Sequence, residues 1–167
     1  MILRGIMVVW PPGRLQCRVR FMRPMDHALQ QARLAAERGE VPVGAVVLDP
    51  HGVIIAAAGN QVERDRDASA HAEILALRMA AAHLGTHRLT GCDLVVTLEP
   101  CPMCAGAISH FRLRRLIFGA YDPKGGGVEH GPRVFAAPGC LHRPEIIGGV
   151  AETAAGDLLR QFFRDRR

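Results

Sequence analysis

Four residues carry the chemistry that can be read first. His71 and Glu73 are separated by one residue, and Cys101 and Cys104 follow 30 and 33 positions after His71. Two thiolates and one imidazole make a Cys2His donor set for zinc. Three protein ligands leave one tetrahedral position for water, and a catalytic zinc keeps such an opening whereas a structural zinc closes it. Zinc brings the pKa of a bound water toward ~7. A carboxylate that stands beside that water without ligating the metal is suited to moving protons, the role expected of Glu73. Other readings of the parts stay open. A C-x-x-C pair also serves redox chemistry or half of a zinc ribbon, with His71 then incidental. A closed structural site needs a fourth ligand, for which Cys92 and Cys140 are the candidates.

These residues must be held by the elements around them. Apolar spacing predicts a helix over 26–38 capped by Asp26, with Ala28, Leu29, Ala32, Ala35 and Ala36 on one face. A strand over 41–49, a turn at Pro50, His51 and Gly52, and a strand over 53–58 form a hairpin. The polar stretch 60–69 reads as a loop. A helix over 70–84 follows, with Ile74, Leu75, Leu77 and Ala81 at helical spacing. Next come a buried strand over 93–98 and a helix over 100–112 opened by Pro100. On that helix Cys101 and Cys104 share a face in the first turn, where unpaired N–H groups favour thiolate. On a regular helix His71 and Glu73 diverge by about 200°. They reach one metal only with His71 at the helix mouth. A short strand over 115–119, a Gly- and Pro-rich loop over 120–139, a strand over 145–150 and a helix over 152–166 complete the chain. In that last helix Leu158, Leu159, Phe162 and Phe163 are expected to face inward. Alternating strands and helices predict a three-layer α/β/α sandwich around a mixed sheet of about five strands. Neighbouring strands joined by a helix should run parallel.

The composition excludes several classes. With 167 residues, 49% apolar and 22% charged, the chain fits one soluble domain. The net charge of +5 is weak support for a polyanionic partner. Five of the 21 basic residues, Arg4, Arg14, Arg18, Arg20 and Arg23, lie in the first 24 positions, which hold no acid, and the remainder is formally neutral. Only local patches can contact phosphate. Arg112, Arg114 and Arg115 form one candidate, and Arg160, Arg164, Arg166 and Arg167 another. Five cysteines, an odd number with one tight pair, favour metal or redox chemistry over a secreted disulfide framework. No apolar run approaches the ~18 residues of a membrane span. Residues 1–24 read as an unstructured lead, with a transit peptide as the other reading and Met22 or Met25 as the natural start. Residues 25–167 read as a single domain. The missing targeting signals point to the cytoplasm.

The combination H-x-E followed by P-C-x-x-C is more specific than its parts and matches the signature of zinc nucleobase deaminases. Residues 25–167 resemble the bacterial tRNA-specific adenosine deaminases of the cytidine-deaminase-like superfamily. The resemblance rests on Glu40-Val41-Pro42-Val43-Gly44-Ala45-Val46, Ala70-His71-Ala72-Glu73-Ile74 and Thr97-Leu98-Glu99-Pro100-Cys101-Pro102-Met103-Cys104-Ala105-Gly106-Ala107-Ile108. Phe118-Gly119-Ala120 and Leu158-Leu159-Arg160-Gln161-Phe162-Phe163 extend it. It implies a cytidine deaminase-like fold and one zinc per chain, held by His71, Cys101 and Cys104, with Glu73 as proton shuttle. It implies that the backbone at Ala72 holds the reacting base and that Asn60 contacts the flipped nucleoside. It places Val43 and Leu98 on the pocket wall and Asp122 and Lys124 on the loop that touches the strand. It further implies a homodimer that edits the wobble adenosine in the anticodon arm of an arginine tRNA. The loop 125–137 departs from the best-known family loop, with Ala136 and Ala137 where histidine is placed. A free-base deaminase for guanine or cytosine shares every catalytic residue. A non-catalytic zinc protein that only binds RNA has no use for Glu73.

Overall fold

The computed structural model describes residues 23–166. The lead read over 1–24 lies outside the described residues as far as position 22, and so does Arg167. Helix α1 (Pro24–Glu37) starts with proline in its first turn, where a missing N–H costs nothing. Asp26 is not its cap, as the sequence suggested. It sits at the third helical position, and its carboxylate accepts the backbone N–H of Arg23 at 3.0 Å.

Five strands form one sheet in the order β2-β1-β3-β4-β5. They are β1 (Gly44–Leu48), β2 (Ile54–Gly59), β3 (Asp93–Leu98), β4 (Arg115–Ala120) and β5 (Glu145–Ile147). The first strand is shorter than expected, because Pro42 has no N–H for a ladder and Val43 turns back to the carbonyl of Val41 at 2.8 Å. β5 is also shorter and stops before Gly148 and Gly149. The loop expected over 60–69 contains a one-turn helix, α2 (Val62–Asp65). The remaining helices are α3 (Ala72–Leu84), α4 (Pro102–Phe111) and α5 (Glu152–Arg164), and a 3-10 turn covers Val134–Ala136.

The sheet is mixed, as expected, and β3 runs parallel to β4 across α4. β2 and β3, which α3 separates, run the same way but are not neighbours. The hairpin strand β1 lies between them and pairs antiparallel with both. Side chains alternate across the sheet with period two. Ala45, Val47, Leu94, Val96, Leu116 and Phe118 pack with α3 and α4 on one face. Val46, Leu48, Val95 and Ile117 pack with α1 and α5 on the other. The structure is therefore the three-layer sandwich that the element order predicts. On α3 the buried line is Ala72, Glu73, Ala76, Leu77 and Ala80, rotated from the expected face, with Ile74, Leu75 and Ala81 only partly buried.

α5 departs furthest from expectation. Its buried residues are Ala155 and Gly156, while Phe163 is 50% exposed. α5 lies mainly on β4, an inner strand, and also touches β3 and α1, and the small residues near its start are the ones that face the sheet.

Close approach of α1 to β1 depends on Gly44. A Cβ there would overlap the carbonyl oxygen of Ala28 and lie 2.5 Å from the amide nitrogen of Ala32. Both obstacles are helix backbone and cannot move alone. Gly44→Ala is expected to destabilise the domain by about 1–3 kcal/mol, the usual cost of overpacking, seen as a lower urea midpoint. An unchanged midpoint would show that α1 can slide.

The end of the sheet where β3 and β4 begin is tied by an ion pair. Asp93, 4% exposed, accepts Arg114 Nε at 2.9 Å and Nη2 at 2.8 Å, and Arg115 Nη2 at 2.6 Å. Two members of the first arginine patch are thus committed to a carboxylate. Burial raises the Asp93 pKa, but the guanidinium hydrogen bonds outweigh it and hold the group below the usual carboxylate range. A depressed folded-state pKa adds stability that is fully present above the unfolded value of ~3.9 and is lost as pH falls through the folded value. Asp93→Asn is expected to be less stable than the native chain at pH 7, with the gap narrowing in acid. Thermal melts whose gap stays constant from pH 7 to pH 3 would refute this linkage.

Candidate active site

The site forms at the ends of β3 and β4 where the parallel strands finish, the usual crevice of an open α/β sheet. Two helices point their N-termini into it. His71 is the N-cap of α3, with φ −70° and ψ 149°, and Cys101 is the N-cap of α4, with φ −66° and ψ 169°. Pro102, not Pro100, takes the first position of α4. Cys101 therefore precedes the helix, and the extended backbone swings its sulfur toward His71. The same geometry resolves the divergence of His71 and Glu73. His71 lies outside the helix and Glu73 inside its first turn, so both side chains face one space.

His71 Nδ1 lies 3.6 Å from Cys101 Sγ and 3.5 Å from Cys104 Sγ. Tetrahedral zinc with ordinary Zn–N and Zn–S bonds separates its nitrogen and sulfur ligands by about 3.6 Å. The three donors lie within 4.8 Å of one another, and among the described residues this is the one such group. Neither Cys92 nor Cys140 joins it. Cys140 instead contacts Ser109 Oγ and the carbonyl of His142. The donor set fits a zinc with an open fourth position. The Cys101 thiol is pulled down to about 4 by its hydrogen bond from Cys104, helped by His71. The Cys104 thiol is pushed up by the same bond and by burial. His71 is raised chiefly by its hydrogen bond with Cys101.

Glu73 is 4% exposed, and burial pushes its carboxyl above the usual range. A raised carboxyl brings proton affinity closer to neutrality, as a group that both takes and gives a proton requires. Glu73, His71 and Cys101 line a cavity of about 690 Å³ together with Val43, Asn60, Leu98 and Asp122. Seven of the ten residues singled out from the sequence therefore face one space. Val43 and Asn60 are joined through the backbone, the Asn60 N–H donating to the Val43 carbonyl at 3.0 Å. Cys104 and Ala72 lie fully buried behind this wall. Lys124 stays exposed on a turn organised by Asp122, whose Oδ1 accepts the backbone N–H groups of Lys124 at 3.1 Å and Gly125 at 3.0 Å.

Other residues on this cavity were not expected from the sequence. Glu40 and Glu99 line it, and so do Phe162, Phe163 and Arg166 of the C-terminal region. Phe162 and Phe163, whose spacing predicts a core face, stand on the cavity wall instead. Arg166 holds the carbonyl of Gly39 at 2.9 Å and stacks on the Phe162 ring at 3.8 Å. The one sequence signal for Glu99 was an acid standing between an apolar strand and a proline.

Comparison with known proteins agrees with this geometry. Residues 20–120 match the model of the cytidine and deoxycytidylate deaminase zinc-binding region. A tRNA-specific adenosine deaminase of Agrobacterium fabrum is 56% identical over 144 residues, which cover 86% of this chain and 93% of that protein. A solved structure from work on A-to-I editing by tRNA:A34 deaminases at the wobble position has a TM-score of 0.80 at 52% identity, covering 81% of this chain and 98% of that one. A guanine deaminase from Nitrosomonas europaea has a TM-score of 0.73 at 27% identity, covering 97% of this chain and 98% of that one.

Proposed function

The chain belongs to the tRNA-specific adenosine deaminases, zinc enzymes of the cytidine and deoxycytidylate deaminase family, and from that premise we propose that it converts the wobble adenosine of a tRNA anticodon to inosine. The observation that carries the reading is the shared cavity, in which Glu73 faces the same space as the ligands His71 and Cys101. His71, Cys101 and Cys104 hold the zinc. When bound, zinc supplies a Lewis acid that lowers the pKa of a water to ~7. Water adds at the amino-bearing ring carbon, the C–N bond breaks, and ammonia leaves. Glu73 takes one proton from the attacking water and delivers it to the ring nitrogen, then takes the second from the added hydroxyl and delivers it to the departing amine. Val43 and Leu98 flank the base, the backbone at Ala72 and the Asn60 side chain orient the nucleoside, and Asp122 and Lys124 meet the strand. An anticodon loop presents its bases single-stranded, so little unstacking energy opposes entry into the cavity.

Two features favour RNA over a free base. Identity to the tRNA enzyme is twice that to the guanine deaminase. The C-terminal helix also brings Phe163, 50% exposed, to the cavity wall, where an aromatic face is open to a base outside the cavity. The proposal extends to an arginine tRNA as substrate, to a homodimer and to action in the cytoplasm, each supported by the family resemblance. Among the described residues no helix is long and apolar enough to cross a membrane.

Mass spectrometry of an arginine-tRNA anticodon stem-loop, incubated beside free adenosine, guanine and cytosine, is the test. Inosine is expected in the stem-loop alone. Turnover of a free base with an untouched stem-loop would keep the zinc chemistry and overturn the substrate.

A further inference from the structure

Glu99 is a buried acid beside the reaction centre that the chemistry does not use. It is 2% exposed and lies two positions before Cys101. Its Oε1 accepts the backbone N–H groups of Val128 at 3.2 Å, Glu129 at 2.8 Å and His130 at 2.9 Å. Its Oε2 accepts the backbone N–H of Asp122 at 3.1 Å and His130 Nδ1 at 2.7 Å. Five donors exceed the roughly four lone-pair sites of a carboxylate, so no acceptor is left for substrate or water.

All five donors belong to one segment, residues 122–130. It opens with Asp122 on the cavity wall and carries Lys124. Two glycines let it lie flat on the turn that holds Cys101. A Cβ at Gly126 would sit 2.6 Å from Glu99 Cδ, and one at Gly127 would sit 2.6 Å from the backbone nitrogen of Pro102. The His130 ring stands edge-on to Tyr121 at 5.9 Å, and Tyr121 stands edge-on to Phe118 at 5.2 Å, so a row of rings anchors the segment to the core. The facing wall uses the same device on a smaller scale. Glu40, 1% exposed, accepts the backbone N–H groups of Glu63 and Arg64 at 3.2 and 2.9 Å.

We propose that Glu99 and His130 are positioning residues that fix the shape of segment 122–130, and so present Asp122 and Lys124 to the RNA strand, without taking part in deamination. This rests on the RNA-editing reading above. Glu99→Gln keeps the size of the side chain but removes its charge and turns an NH2 group toward N–H donors. His130→Ala removes one donor only and is the milder variant should Glu99→Gln fail to fold. His130→Asn restores a side-chain N–H near the Nδ1 position.

Three quantities are read for each variant: stem-loop KM and kcat, zinc content, and amide hydrogen exchange. Loss of a charge-assisted hydrogen bond corresponds to roughly 10–100-fold, so Glu99→Gln is expected to raise KM and the exchange rates of residues 122 and 128–130 by about tenfold or more. Its kcat should stay within about threefold of the native value, with full zinc content. His130→Ala should move the same quantities less, and His130→Asn should recover much of the loss. Faster exchange with unchanged KM would overturn the proposal. So would a fall in kcat at constant KM, which places Glu99 in the chemistry, or a loss of zinc, which places it in service of Cys101. If the native enzyme leaves the stem-loop untouched, the editing reading fails and takes this one with it. An active native enzyme with unmoved variants overturns this one alone.

Discussion

Glu73→Ala is expected to lower the deamination rate by about 10²–10⁴-fold, the usual contribution of a positioned general acid–base, while the protein stays folded and zinc-loaded. Its position supports both halves of that result. The carboxyl lines the cavity beside His71 and Cys101, yet the tight donor group consists of His71, Cys101 and Cys104 without it. Removing it leaves the three metal donors intact. It also removes a nearly fully buried acid whose burial is unfavourable, as its raised pKa indicates. Melting temperature should therefore equal or exceed that of the native chain, the common pattern where function and stability conflict. The checks are inosine release from the stem-loop, elemental analysis for zinc and a thermal melt. Near-native turnover with zinc confirmed would remove Glu73 from the mechanism.

Cys104→Ala is expected to lose both zinc and activity. Cys104 is fully buried in the first turn of α4, 3.5 Å from His71 Nδ1, and no other cysteine or histidine among the described residues stands ready to replace it. Two ligands remain, too few for the three that a catalytic zinc uses. Zinc content should fall from one per chain to near zero, and the melting temperature should fall with it, because binding energy for the folded state is also folding energy. Adding zinc should raise the melting temperature of the native apoprotein and leave that of the variant unchanged. Full zinc stoichiometry in a folded Cys104→Ala protein would refute the ligand assignment. Comparison with Glu73→Ala separates two kinds of loss, since one variant keeps the metal and loses proton transfer and the other loses the metal itself.

Much of the centre was legible before any coordinates. A histidine at a helix mouth and a proline-flanked C-x-x-C are local patterns, and local backbone rules suffice to place them at helix N-termini. The hairpin and the alternation of the central strands were legible for the same reason, since β-branched runs and turn residues act over short distances. Helix starts were shifted, with Arg23 rather than Asp26 at the first cap and Pro102 rather than Pro100 opening α4. Caps and first turns share the same residue preferences, so the sequence does not separate neighbouring positions.

The misses were long-range. Phe162 and Phe163 carry the helical spacing of a core face, but α5 meets the sheet through Ala155 and Gly156 near its start, and the two rings at its far end wall the cavity. The Gly- and Pro-rich stretch 120–139 reads as a loop, and its composition does not reveal that Val128 and Phe135 are 5% and 4% exposed or that Glu99 gathers its amides. By itself the sequence determined the family and singled out the proposed zinc donors and proton carrier, because identity and near-neighbour spacing decide which atoms can ligate and titrate. Only the tertiary structure decided which acids are buried, which loop they hold and where the cavity opens, because an ionised carboxylate is tolerated in the interior only where donors from distant parts of the chain, backbone N–H groups or guanidinium groups, converge on it.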